Sequence, residues 1–345
     1  MHNPIRVLLL ITWSEKKKWP FVEALRDLGF ECDVIGAEYP RGYNSSFTKI
    51  LFFWSRYILI GTKAFIRRKD YDVILGWQQV AGMVYGVYKC IFRSKYPKLV
   101  ILNFTYPARK SAFILRIRKA FVKFVLKATD SLWCLSEKEA EVRYRMFDYP
   151  KEKTKSVPIT VTDISDAGEE EEHTTFGKYI LSVGNEREYH MLCEAVRPLD
   201  TTLHIVTQPY NLKGLDLPPN VVPHHVFGQP VMDLYKDAGF VVVPMKDPNR
   251  PGGESVLFET MAFGKAMIIT RTITSVDYIT HMDNGILVEP HNQKELQDAI
   301  AYLLANPDAA KKMGEKNRRL YKEKYSTKAV VSKVSRHIYE ILERA

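Results

Sequence analysis

Residues 243–265 read VPMKDPNRPGGESVLFETMAFGK. An apolar run ends at Pro244, a polar loop follows, and Gly252-Gly253 feed a helix with Ser255 as the expected N-cap and Gly264 as the closing C′ residue. A glycine-containing loop that opens a helix presents unpaired N–H groups and the positive end of the helix dipole, a natural seat for phosphate. Glu259 stands one turn further, on the face of Ser255. A carboxylate there would not hold phosphate, but it accepts two hydrogen bonds from a ribose diol beside a diphosphate. A capped helix with a stray glutamate has the same pattern, so a nucleotide site and a purely structural helix both stay open at this point.

Around that stretch, short apolar runs alternate with helical ones, the pattern of βα units on a parallel sheet. Before residue 160 the expected strands are Arg6–Ile11, Cys32–Ile35, Val73–Leu75, Leu99–Leu102, Ser131–Leu135 and Ser156–Ile159. The helices between them are Trp19–Leu28, Phe47–Lys69, Val80–Phe92, Ala112–Lys127 and Glu137–Phe147. Thr162–Gly177, with Asp163, Asp166 and Glu169–Glu172, has the composition of a solvated linker. The pattern then restarts with a strand at Tyr179–Val183, a loop at Gly184–Glu188 and a helix at Tyr189–Val196. Further strands are expected at Leu203–Val206, Phe240–Val243, Ala266–Ile269 and Gly285–Val288. The fold class is α/β, with two Rossmann-like domains facing a cleft. The expected division is 1–162, an acidic linker 163–177, a second domain 178–326, and a helix 327–345 whose stripe is Val330, Val331, Val334, Ile338 and Ile341.

Charge is unevenly placed. Residues 1–150 hold 26 Lys+Arg against 13 Asp+Glu, while the rest holds 24 against 27. Within 41–127 there are 18 basic residues and only Asp70 and Asp72 as acids. Bulky apolar residues interleave with these cations in 47–69 and 111–127. Three readings follow: amphipathic helices packed on a sheet with solvated lysines outside, an anionic-membrane surface, or a nucleic-acid surface. No RNP, KH, zinc-finger or helix-turn-helix pattern accompanies the charge, so nucleic acid is not the expected partner.

Composition bounds the remainder. With 345 residues, 46% hydrophobic and 26% charged, the chain is globular and long enough for two cores. Cys32, Cys90, Cys134 and Cys193 stand far apart, as expected of reduced thiols in a cytoplasmic protein. Neither a signal peptide nor a spanning helix is expected. Asp70-Tyr-Asp72 has a D-x-D form but precedes its strand, and reads as a solvated strand start. His224-His225 lacks carboxylate or thiol partners at ligand spacing, and reads as a loop rather than a metal site. P-loop, G-x-S-x-G and G-x-G-x-x-G motifs are missing, which disfavours an NTPase, a serine hydrolase and a standard dehydrogenase.

The segment Glu259-Thr-Met-Ala-Phe-Gly-Lys-Ala-Met-Ile-Ile-Thr, then Asp277-Tyr-Ile and Asp283-Asn-Gly-Ile-Leu-Val-Glu-Pro, resembles glycosyltransferase family 4, the group 1 retaining enzymes. Glu295-Leu-Gln-Asp-Ala-Ile, Leu303-Leu-Ala-Asn-Pro and Lys322-Glu-Lys-Tyr-Ser continue the likeness. Tyr179-Ile-Leu-Ser-Val-Gly and Trp133-Cys-Leu-Ser-Glu-Lys-Glu-Ala precede it in the family's order. The resemblance implies the GT-B architecture, with a nucleotide-sugar donor held by the second domain and the last helix crossing back to the first. It implies transfer of a sugar, without a metal or other cofactor, from an NDP-sugar to a hydroxyl of a saccharide or lipid-linked acceptor. The basic surface interleaved with aromatic residues points to an acceptor in or on a membrane, such as a lipid-linked saccharide at the cytoplasmic face, as in surface-glycan synthesis of bacterial type. A front-face displacement is implied, in which a leaving phosphate oxygen takes the acceptor's proton.

By the same resemblance Glu259 holds the donor ribose, and Gly252, Gly253 and Ser255 line the approach to sugar and diphosphate. The family's first motif glutamate falls on Pro251 here, and Glu254 is the candidate replacement. The family's arginine after the first Val-Gly is Asn185, and Arg187 is the candidate to neutralise the diphosphate, with Lys246 and Arg250 as further candidates. The N-domain histidine is also missing, its neighbourhood being Trp77 and Gln78. On the acceptor side the candidates are Trp13 and Ser14, within the loop Thr12–Lys18, and Asn103, within Asn103–Arg109. The departures leave two other readings on this scaffold: a sugar-nucleotide epimerase or hydrolase, and a binding protein for membrane or nucleic acid with a degenerate donor site.

Overall fold

The computed structural model describes residues 4–12, 19–36, 46–106, 111–159, 177–249 and 252–344, the side chains of 46–53 excepted. The chain divides into two compact units, Met1–Ile159 with Val330–Ala345, and Thr160–Ala329. The expected linker therefore lies outside the described residues, Gly177 apart.

In the first unit the strands are β1 (Arg6–Leu10), β2 (Glu31–Ile35), β3 (Val73–Gly76), β4 (Lys98–Ile101), β5 (Ser131–Cys134) and β6 (Thr154–Ser156). They form one parallel sheet in the order β2-β1-β3-β4-β5-β6. Its helices are α1 (Pro20–Asp27), α2 (Ser46–Ile66), α3 (Gln79–Ile91), α4 (Ala112–Leu126) and α5 (Glu137–Phe147). From Val7 on, β1 is apolar because both of its faces are covered. Leu8 and Leu10 join a core with side chains of α2, α3, α4 and α5, whereas Val7, Leu9 and Ile11 join one with α1 and the last helix. α3 lies between α2 and α4, and close approach requires its glycines. A Cβ on Gly86 would stand 2.7 Å from Val125 Cγ1, and one on Gly61 of α2 would stand 2.6 Å from Val84 Cγ1.

The second unit repeats the plan. Its strands are β7 (Tyr179–Val183), β8 (Leu203–Val206), β9 (Val221–His224), β10 (Ala238–Val243), β11 (Ala266–Thr270) and β12 (Ile286–Val288). They too are parallel, in the order β12-β11-β10-β7-β8-β9. Its helices are α6 (Tyr189–Val196), α7 (Gln229–Asp237), α8 (Glu254–Ala262), α9 (Ser275–Tyr278), α10 (Gln293–Ala305) and α11 (Pro307–Leu320). α12 (Thr327–Glu343) then returns to the first unit, laying Val330, Val331, Val334, Ile338 and Ile341 on its sheet. Two α/β units of Rossmann type are thus present, as expected.

Three local expectations are corrected. The sixth strand is Thr154–Ser156 rather than Ser156–Ile159, because Pro158 has no N–H to carry the ladder on. β9 was not expected, since Pro223 interrupts its apolar run; it is tolerated because β9 is an edge strand paired only with β8. His224 accordingly ends a strand instead of sitting in a loop.

Candidate functional site

In the second sheet the chain reverses its direction of growth between β7 and β10, which are neighbours. Ligands of open α/β sheets bind outside the carboxyl ends of the strands at such a switch point. Two loops meet there. The loop after β7 holds Gly184 at φ +114° and Glu186 at φ 57°, and then Arg187 pairs with Met245 of the loop after β10 in an antiparallel bridge. The Glu188 amide donates to the Pro244 carbonyl at 2.8 Å, fixing one loop on the other.

Arg187 is the unusual residue of this junction, buried to 6% exposure. Its Nε donates to the Val183 carbonyl at 3.3 Å, and Nη1 lies on the sulfur of Met245. Nη2 fills the space between two glycines of positive φ: a Cβ on Gly184 would be 2.7 Å from it, and one on Gly253 3.6 Å. Among the described residues no carboxylate stands within ion-pair distance of this guanidinium. Burial pulls its pKa below the ordinary arginine value, against the weaker opposing effect of its acidic neighbours, Glu254 among them. A buried cation held by a sulfur and one carbonyl is costly. An anion arriving beside it would recover that cost.

Gly253, at φ +87°, is the N-cap of α8, and its carbonyl accepts the first helical bond from Leu257 at 2.8 Å. This corrects the expectation for Ser255. The helix already begins at Glu254, so Ser255 sits exposed in the first turn and caps nothing. The first-turn amides of Ser255 and Val256 are left for a ligand next to Arg187. Glu254 is buried to 8% exposure, and its Oε1 has no hydrogen-bond partner. Burial raises its pKa, while the amides of Glu254 and Gly252 and the Arg187 charge pull the other way.

Glu259 lies deeper in α8. Its Oε2 accepts from the Tyr235 hydroxyl at 2.9 Å, and the Tyr235 ring stacks on Phe263 at 5.2 Å. Burial pushes the carboxyl up to about 7, against the lowering effect of the tyrosine bond. Gly264, at φ +63°, closes the helix as expected. Its amide reaches the Met261 carbonyl at 3.0 Å and that of Lys265 reaches Thr260 at 3.0 Å, the paired bonds of a Schellman motif.

The remaining sequence candidates divide. Gly252 adjoins this junction, and Lys246 is exposed just after β10. Arg250 and Pro251 lie outside the described residues, as do Trp13 and Ser14. Asn103 belongs to the first unit, at the carboxyl end of β4, where its Nδ2 donates to the Trp77 carbonyl at 3.3 Å. Trp77 itself packs in an aromatic cluster, 4.7 Å from Trp19 and 4.8 Å from Phe21. Asn185 does not replace the missing arginine. Its Oδ1 accepts from Asn211 Nδ2 at 2.8 Å and from the Gln208 amide at 3.2 Å, tying the loop after β7 to the loop after β8.

Asp72 holds the Arg6 amide at 2.8 Å, and His224 faces His204 across 3.1 Å. Among the described residues no group of acids, histidines or cysteines has the form of a metal site.

Sequence reasoning missed Tyr235 and Met245, which hold the two charged candidates from other elements and carry no motif of their own. It also missed a concavity of about 390 Å³ at the carboxyl ends of β8 and β9, with Tyr210, Leu212 and Leu217 in its walls and Lys213 and His225 beside them. Most of its lining comes from the stretch after β8, residues 209–217, closed by Pro223 and His225 at the end of β9, and that stretch carries no recognisable motif.

Residues 171–320 match the family model described as Glycosyl transferases group 1. The C-terminal unit thus carries the sequence pattern of the group 1 glycosyl transferases. Sucrose-phosphate synthase 4 of Arabidopsis thaliana is 40% identical over 50 residues, which is 14% of this chain and 5% of that protein. The chain thus spans only a small part of that relative. Among solved structures, sucrose-phosphate synthase from Thermosynechococcus elongatus superposes with a TM-score of 0.73 at 16% identity, over 99% of this chain and all of that one. HepE of Anabaena in complex with UDP-glucose gives 0.66 at 14% identity, over 97% and 99% of the two chains. These likenesses establish a shared fold, and the two-sheet plan is the GT-B one. Arg187, Glu254 and Glu259 all lie inside the matched segment.

Proposed function

We propose that this chain transfers a sugar from a nucleoside-diphosphate sugar to an acceptor hydroxyl, with retention at the anomeric carbon and without a metal. The observation that carries this reading is Arg187: a buried guanidinium without a carboxylate, its free nitrogen between Gly184 and Gly253 at the head of α8. A diphosphate set against it meets fixed positive charge and helix amides where the leaving group gains charge. Glu259, one turn on, takes the ribose hydroxyls, and the free Oε1 of Glu254 takes a hydroxyl of the donor sugar. Lys246 and Arg250 are further candidates to bind the outer phosphate. In the transfer step the bond from the anomeric carbon to the diphosphate oxygen breaks. The acceptor oxygen bonds to that carbon from the same side, and its proton passes to the leaving phosphate.

HepE, complexed with UDP-glucose, supports a uridine nucleotide as the first donor to try. For the acceptor we propose a saccharide or lipid-linked saccharide of surface-glycan synthesis at the cytoplasmic face, with Trp13, Ser14 and Asn103 on its side.

Thermal unfolding against UDP-, GDP- and ADP-sugars and the free diphosphates tests the donor site. A ligand at about one hundred times its Kd stabilises by about 2.7 kcal/mol. A shift with one nucleotide class, lost in Arg187→Met, is the expected result. Absence of any shift on folded protein would overturn the donor reading. Conversion of the donor without an acceptor would move it to the epimerase or hydrolase reading.

A further inference from the structure

α4 carries two apolar stripes where a helix covering a sheet needs one. Val122, Val125 and Leu126 face inward and are buried. On the opposite side Phe113, Ile117, Phe121 and Phe124 follow each other at spacings of three and four, and are 71%, 54%, 44% and 41% exposed. Ile114 beside them is 49% exposed. Single exposed apolar residues are ordinary, but a contiguous row marks a surface that binds something.

A second row runs along the flank of the first. Arg116, Lys119, Lys123 and Lys127 recur at the same spacing and are all exposed. Among the described residues none of the four is paired with a carboxylate, and α4 contains no acid at all. α2, on the same face of the sheet beyond α3, adds exposed Trp54, Ile58 and Ile66, and the end of α3 adds Ile91 and Phe92. The two acids of this region are engaged elsewhere: Asp72 on the Arg6 amide, and Asp70 near Arg67.

We propose that the outer face of α4, extended by α2 and the end of α3, docks on a bilayer surface that carries anionic lipid. Apolar side chains inserted at the headgroup boundary, with a cationic row reaching the lipid phosphates, are what such a surface takes from an amphipathic helix. A second copy of the chain would bring the same unpaired cations against these, and charge opposes that contact. A nucleic acid would satisfy the cations but leave a row of isoleucine and phenylalanine side chains in water. The inference does not rest on the donor site. No helix among the described residues is long and apolar enough to cross a membrane, so the contact is one of surface docking.

Co-sedimentation of the full chain with phosphatidylcholine vesicles, with and without phosphatidylglycerol, is the test. Binding is expected only with phosphatidylglycerol and is expected to weaken as salt rises. In Arg116→Gln/Lys119→Gln/Lys123→Gln, affinity should fall on the order of 100-fold, the product of three lost surface charges. The variant Phe113→Ser/Ile117→Ser/Phe121→Ser should lose binding at unchanged charge. Both triple variants alter exposed residues, so their melting curves and donor-induced shifts should match the parent, showing that loss of docking is not loss of fold. The proposal is overturned if the parent fails to sediment at low salt, or if either variant binds as well as the parent. Tighter binding to a single-stranded oligonucleotide, or a dimer abolished by the serine substitutions, would overturn it equally.

Discussion

Arg187 and Glu259 are charged groups that the fold keeps from water at a cost, and each makes a measurable difference. Removing a buried charge without a partner relieves a penalty, so Arg187→Met should leave the unliganded protein no less stable, and up to about 2 kcal/mol more stable, in denaturant melts. The same variant should lose the stabilisation by donor. A fall of several kcal/mol instead would make the arginine a structural strut. For Glu259 the sign follows from a carboxyl pushed up to about 7 in the folded chain, above an ordinary glutamate near 4.3. The folded state then holds the proton more tightly than the unfolded one. The contribution is fully present below about 4.3 and is lost as pH rises through about 7. Glu259→Gln should flatten that part of the stability profile, a difference of a few kcal/mol across the window by the roughly 1.4 kcal/mol per pH unit of linkage. If the slope survives the substitution, another group is responsible.

The place of Glu259 in α8 was legible in the chain because it is set locally: a glycine pair, a helix start, and one turn. The burial of Arg187 was not, because Met245 comes from 58 residues further along. Only the crossover connection between β7 and β10 brings the two together.

At the scale of elements, α8 is set by its two ends. Gly253 and Gly264 both sit at positive φ, but different neighbours surround them. Gly253→Ala meets Met245 Sδ at 3.2 Å in addition to an unfavourable backbone. It should cost about 1–2 kcal/mol and also weaken donor binding by moving the first turn. Gly264→Ala meets Arg318 side-chain atoms at 3.4 Å and the Gly314 carbonyl at 3.6 Å, ordinary contacts. It should cost about as much through the backbone alone, with donor affinity unchanged. Melting and donor titration of the pair separate the two roles, and equal loss of affinity in both would sink the distinction.

Glycines announce such ends in a sequence, which is why the start and stop of α8 could be read. The N-cap could not be assigned to the right residue, because a serine two positions away fits the capping preference equally well. β9 escaped for a related reason: Pro223 reads as a breaker until the strand is known to be an edge.

Across the whole molecule, the alternating apolar runs carried the architecture, since strands buried on both faces leave an unmistakable imprint in the residues that fill them. The outer face of α4 could not be assigned from the same pattern, because a second apolar stripe looks like more core until its exposure is seen. α12 gives the sharpest global prediction. Val330, Val331, Val334, Ile338 and Ile341 cover one face of the first sheet. At about 1.5–3 kcal/mol for each buried side chain, they amount to much of a domain's stability. Val334→Asp should lower the melting of the first unit while the second unit keeps its donor response. Loss of both together would show that the units do not melt separately.

The return of α12 also sets the order in which the molecule is made. The second unit occupies one continuous stretch, whereas the first is assembled from two stretches on either side of it. As the chain leaves the ribosome, the unit begun first is therefore the last to be finished. Part of one face of its sheet, the part that α1 leaves uncovered, stays open until α12 has been made, with the later-born unit already able to fold. Apolar sheet surface is therefore left open for longest in the unit whose synthesis begins first.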